Sequence, residues 1–93
     1  MKKGWEVRFS DQVLKSLKKM DRSTAAIILG FIEKRLNGCL DPRTIGKPLK
    51  ANHSGKWRYR VGDYRLLCLL EDETITITLI AISPRKDVYN NSL

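Results

Sequence analysis

The strongest constraint on the fold lies between residues 56 and 82, which read as three strands separated by turns. Trp57, Tyr59 and Val61 fall on one face of the first strand, and Arg58 and Arg60 on the other. Gly62-Asp63 then supplies a tight hairpin turn. Residues 64–70 are nearly all apolar, which predicts a central strand covered on both faces. Glu71-Asp72-Glu73 turns the chain, and Thr74, Thr76 and Thr78 alternate with Ile75, Ile77 and Leu79. Ser83-Pro84 ends this strand, because proline cannot donate to a central ladder.

The N-terminal half reads differently. Trp5 to Phe9 alternates like a half-buried strand. Ser10 is placed to cap a helix with Asp11 in its first turn, and Val13, Leu14, Leu17 and Met20 recur at helical spacing. Asp21 opens a second helix whose apolar stripe is Ala25, Ile28, Leu29, Ile32 and Leu36, and Asn37-Gly38 stops it. Residues 39–55 contain Pro42, Gly46, Pro48 and Gly55 and read as a loop with room for one short helical turn, pinned by Leu49. The expected order is β-α-α-β-β-β. It predicts an α+β fold with an N-terminal helical hairpin packed on a mostly antiparallel four-stranded sheet. At 93 residues the whole chain, 1–93, is expected to form one domain.

Composition excludes several classes. Long apolar runs argue against disorder, and no stretch approaches the roughly 20 apolar residues of a membrane span. The basic N-terminus lacks an apolar core, so no secretory signal is expected and the protein is expected in the cytoplasm. Cys39 and Cys68 do not make a disulfide scaffold, and Cys68 reads as a buried free thiol. With His53 as the lone histidine there is no His/Cys cluster, so neither a metal nor another cofactor is expected.

The net charge of +8 points to a polyanionic partner. Its location is more telling. Residues 42–65 carry seven basic groups against one acidic, a net of +6, whereas residues 66–93 carry a net of −2. Arg58 and Arg60 share a strand face, and Arg65 can approach Arg60 across the hairpin. Guanidiniums held together repel one another, an arrangement best justified by a neutralising anion, and their forked donors match phosphate. Arg85 adds a further cation. Tyr89 offers a hydroxyl and a ring that can stack on an unpaired base. His53 reads as loop surface.

Lys47-Pro48-Leu49-Lys50, the run Trp57-Arg58-Tyr59-Arg60-Val61-Gly62-Asp63-Tyr64-Arg65-Leu66, and the closing Ile82-Ser83-Pro84-Arg85-Lys86-Asp87-Val88-Tyr89 together resemble the RelE/ParE toxin superfamily, and more specifically its RelE branch. The resemblance covers nearly the whole chain. It implies a toxin of a type II toxin–antitoxin pair that cuts mRNA in the ribosomal A site without a metal. The family's functional positions fall on Arg58, Arg60, Arg65, Arg85 and Tyr89, with Lys47, Lys50, Lys56 and Lys86 as candidate contacts to RNA and ribosome. The implied partners are a cognate antitoxin, bound in an oligomeric complex, and mRNA with ribosomal RNA on the 70S ribosome; no membrane is involved. RelE itself has lysines where this chain has Arg58 and Arg60. Many relatives have a histidine where Pro84 stands, so no conventional general base occupies an expected position.

Two rival readings make different demands. A ParE-like toxin shares the fold but inhibits DNA gyrase without cutting RNA. A non-catalytic nucleic-acid-binding module would use only charge and aromatics, yet the stacked aromatic pattern of a single-strand platform is missing.

Overall fold

The computed structural model describes residues 3–49 and 55–84. The chain runs through β1 (Glu6–Phe9), α1 (Asp11–Lys19) and α2 (Arg22–Phe31). It continues through β2 (Lys47–Pro48), β3 (Lys56–Val61), β4 (Tyr64–Glu71) and β5 (Thr76–Pro84). Both expected helix caps form. Ser10 Oγ accepts from the Val13 N–H at 3.2 Å, and Asp21 Oδ2 accepts from the Thr24 N–H at 3.2 Å. Hydrogen bonds from the Thr24 hydroxyl and N–H and from Ser23 hold the Asp21 carboxyl below its usual range. Beyond Phe31 the second helix widens into a π-helical turn, Ile32–Leu36, closed by a bond from the Asn37 N–H to the Ile32 carbonyl.

The sheet order is β1-β5-β4-β3-β2, with β1 parallel to β5 and every other pair antiparallel. The sheet therefore has five strands, not the expected four. The additional strand lies inside the segment read as a loop. It is two residues long and includes a proline, so it carries no periodicity to read. The short helical turn expected there also forms, as a 3₁₀ turn at Pro42–Thr44.

Both helices lie on one face of the sheet, α1 against β5 and α2 against β3. Ile28, Ile32 and Leu36 go into the core, where they meet Tyr59, Leu66 and Leu79. Leu29, expected in the same stripe, is 42% exposed. The central strand β4 also departs from expectation. Leu66, Cys68 and Leu70 are buried, but Arg65, Leu67 and Leu69 on the opposite face are only half-buried. Among the described residues, the helices cover one face and the other is only partly covered.

The β4–β5 register contains a bulge. Leu67 pairs with Ala81 but Cys68 with Leu79, leaving Ile80 as an extra residue on β5. The insertion resets the alternation, so that Ile77 and Leu79 before it and Ile82 after it all contribute to the core. It also brings Ser83 opposite Arg65. The start of β5 moves relative to expectation as well. Thr74 and Ile75 belong to the turn after β4, and Ile75 takes the left-handed conformation, with φ of 51°.

Candidate functional site: a basic face of the sheet opposite the helices

The alternation of β3 decides the geometry. Tyr59 and Val61 are buried beneath the helices, so Arg58 and Arg60 must point to the opposite face. The hairpin at Gly62-Asp63 fixes the register. Gly62 has φ of 58°, suiting the first position of a two-residue hairpin loop, and Val61 pairs with Tyr64. Arg60 then stands directly opposite Arg65. One row further along, Lys47 of β2 pairs with Arg58, which pairs with Leu67 of β4. Lys47, Arg58, Arg60 and Arg65 line a single open hollow of about 300 Å³, with Gly46 and Tyr59 completing the lining.

Of the nine candidate residues, four converge in this hollow. Lys56 shares the face of β3 with Arg58 and Arg60 but does not line it. Lys50, Arg85, Lys86 and Tyr89, and also His53, lie outside the described residues. The ion pairs Arg8–Glu6 and Arg43–Asp72 involve none of Lys47, Arg58 and Arg60. Like charges directly opposite on neighbouring strands cost about 0.2–1 kcal/mol. Arg60 and Arg65 stand opposite in this way, and their forked donors suit a phosphate placed between the two.

Sequence patterns missed what lies behind the hollow. Tyr59 Oη donates to the Pro42 carbonyl at 2.9 Å, and Trp57 Nε1 donates to the Ile45 carbonyl at 2.7 Å. Arg43 makes two 2.9 Å bonds to Asp72 and lies 5.9 Å from the ring centre of Trp5. The carboxyl of Asp72 is held below its usual range by that guanidinium. Burial, before any nearby charge, pushes the Tyr59 phenol far above its ordinary value, so it serves as a donor and is a poor proton acceptor. The one local signal was Gly46 immediately before Lys47-Pro48. At φ of 71° its Cα sits so close to β3 that a Cβ would fall 2.3 Å from the Arg58 carbonyl oxygen. Four clustered cations in an open hollow can bind successive phosphates of an extended strand and can oppose negative charge gathering on one of them.

Comparisons with known proteins agree with this architecture. The family described as the ParE toxin of the type II toxin–antitoxin system parDE matches residues 7–89. A curated relative, Toxin RelG of Mycobacterium tuberculosis, is 31% identical over 85 residues, covering 91% of this chain and 95% of its own. Among solved structures, the toxin–antitoxin complex RelBE2 from Mycobacterium tuberculosis superposes with a TM-score of 0.77 at 29% identity, covering 88% of this chain and 92% of that one. A free E. coli RelE carrying two arginine-to-alanine substitutions superposes with a TM-score of 0.73 at 16% identity, covering 96% and 92%; it shows the shared fold. On the matched profile, the RelG relative and the five-stranded architecture together, the chain belongs to the RelE/ParE superfamily of type II toxin–antitoxin toxins.

Proposed function

We propose that this chain is a ribosome-dependent mRNA endoribonuclease that cuts mRNA in the A site without a metal and thereby inhibits translation. The observation that carries the reading is the convergence of Lys47, Arg58, Arg60 and Arg65 on one face. In the proposed reaction a ribose 2′-oxygen attacks the adjacent phosphorus. The bond from the 2′-oxygen to phosphorus forms and the bond from phosphorus to the 5′-oxygen breaks. The 2′-hydroxyl proton leaves to a base, and the departing 5′-oxygen takes up a proton. The products are a 2′,3′-cyclic phosphate and a 5′-hydroxyl.

Negative charge concentrates on the phosphorane oxygens, and preorganised cations aimed there supply the largest share of the rate. Arg65 is assigned that role, with Arg60 and Arg58 beside it. Arg85 is assigned to the phosphate or the leaving oxygen, and Tyr89 to stacking or proton transfer. Arginine stays protonated, so the arginines stabilise charge and do not accept the proton. The buried phenol of Tyr59 is equally unsuited to accept it. Ordering of the strand by the ribosome then supplies much of the remaining rate.

In this reading the whole chain acts as one cytoplasmic toxin domain, held inactive in an oligomeric complex by a cognate antitoxin. Support for the antitoxin comes from solved relatives that are toxin–antitoxin complexes, including the RelB–RelE complex of Pyrococcus horikoshii. The ParE-like alternative draws on the name of the matched family, but the curated relative is a Rel toxin, which does not favour it.

The test is cleavage of mRNA on programmed ribosomes. Wild-type protein should cut without added metal, and Arg65→Ala should lose about 10²- to 10³-fold in rate while remaining folded. Tyr89→Phe should lose activity substantially if its hydroxyl moves a proton. Full activity of folded Arg65→Ala, or inhibition of gyrase supercoiling without RNA cleavage, would overturn the assignment.

A further inference from the structure

The segment that carries Lys47 is held in place by very little main chain for an element lining the hollow, so what fixes it there decides where that cation sits. Strand β2 is two residues long, and Pro48 has no N–H to give. The next bond, from the Leu49 N–H to the Lys56 carbonyl, is long at 3.4 Å. A ladder this short cannot by itself fix a wall of the hollow. Side chains of β3 reach back to the same segment. Trp57 Nε1 holds the Ile45 carbonyl at 2.7 Å, and Tyr59 Oη holds the Pro42 carbonyl at 2.9 Å. Tyr59 is 1% exposed, so the carbonyl it satisfies would otherwise be left without that partner in the interior. Between these anchors and Lys47 lies Gly46, whose bare Cα allows the loop to lie directly on the Arg58 backbone.

The arrangement couples the two faces of one strand. Odd-numbered Trp57 and Tyr59 grip the loop, while even-numbered Arg58 and Arg60 face the hollow. The loop cation is thereby placed in register with the strand cations. A lysine on a free loop would lose much more conformational freedom on meeting a phosphate.

We propose that Trp57 and Tyr59 are positioning residues which, through the carbonyls of Ile45 and Pro42, fix Gly46-Lys47 against Arg58 and so make Lys47 a preformed grip for one phosphate of a single RNA strand. The proposal rests on the RNA reading of the hollow and gives Trp57 and Tyr59 a role that acts through the loop carbonyls.

The experiment uses the full chain and a labelled ten-nucleotide uridine RNA, with affinity followed by fluorescence anisotropy across a potassium chloride series. Removing one cation from the phosphates should lower the magnitude of the slope of log affinity against log salt by about 0.7. Lys47→Ala should show that drop. Trp57→Phe, which keeps an aromatic ring and removes the donor, should show a drop in the same direction. The double variant should be no worse than Lys47→Ala alone, because both substitutions act on the same lysine–phosphate pairing. Tyr59→Phe provides the second route should Trp57→Phe fail to fold.

A purely structural role would lower the melting temperature, leave the slope at its wild-type value and add to the effect of Lys47→Ala. Either a wild-type slope in both aromatic variants or additivity overturns the proposal, as does failure of the wild-type chain to bind the RNA. Intact, slope-sensitive binding without cleavage on programmed ribosomes would instead overturn the nuclease reading and leave the positioning role standing.

Discussion

At the scale of single residues, function and stability pull against one another most clearly at Arg60, which faces Arg65. The β3–β4 register holds their side chains directly opposite on the same face. Replacing Arg60 should therefore remove a like-charge contact from the free protein and harm its activity. Arg60→Thr also places a good strand former at an exposed position. Its unfolding free energy in urea should rise by about 0.5 kcal/mol at low ionic strength, and the gain should shrink as salt screens the repulsion. Cleavage on programmed ribosomes should fall in the same variant. A loss of stability at low salt would show that Arg60 contributes more attraction than repulsion in the free protein and would weaken the case for an anion between the two. The alternation that puts Arg58 and Arg60 on one face was readable from five consecutive residues. The placement of Lys47 beside them was not, because it depends on pairing between residues about ten apart and on two carbonyls gripped by aromatic side chains.

At the scale of elements, Ser10 illustrates how one side chain joins helix to sheet. Its hydroxyl oxygen accepts from the Val13 N–H and its hydroxyl donates to the carbonyl of Ile80, the extra residue of the bulge, each at 3.2 Å. Ser10→Ala should cost about 1–2 kcal/mol, seen as a lower denaturant midpoint with an unchanged slope, because a helix cap and a bulge partner disappear together. Activity per folded molecule should be unaffected, since Ser10 is far in sequence and face from the basic hollow. A cost within experimental error would mean that water replaces both bonds. Both caps were legible as Ser and Asp standing before helical periodicity. The bulge was not, because inserting Ile80 into a run already rich in apolar residues leaves no gap in the pattern. The turn after β4 misled for a related reason. Thr74 and Ile75 continue the strand alternation, but Ile75 lies at φ of 51° and supplies the carbonyl that receives the Glu6 N–H at the start of β1. A tertiary bond there overrides a local preference.

At the scale of the whole molecule, the sheet separates two environments: cations on the face opposite the helices and polar groups buried beneath the helices. The second environment gives a pH signature. Burial pushes the Cys68 thiol up to about 12 from an ordinary value of 9.0, and it raises the Tyr59 phenol well above 10.0. Cys39 shifts in the same direction, again chiefly through burial. In each case the folded pKa lies above the unfolded one, so the native state keeps a proton that the unfolded chain gives up. The stability these groups contribute is therefore fully present below about pH 9 and is lost progressively above it. Each group that has titrated only in the unfolded chain adds a slope of about 1.4 kcal/mol per pH unit. Urea unfolding from about pH 7 to about pH 11 should show a flat region, a decline beginning near pH 9 from the thiols, and a steeper decline once the unfolded Tyr59 phenol ionises near pH 10. Cys68→Ala should lower stability at neutral pH through the missing packing of a fully buried side chain. It should also flatten the first decline while leaving the second in place. An unchanged slope between about pH 9 and about pH 10 in that variant would mean that the Cys68 thiol ionises as readily inside the folded protein as outside it, and that the core beneath the basic face admits water.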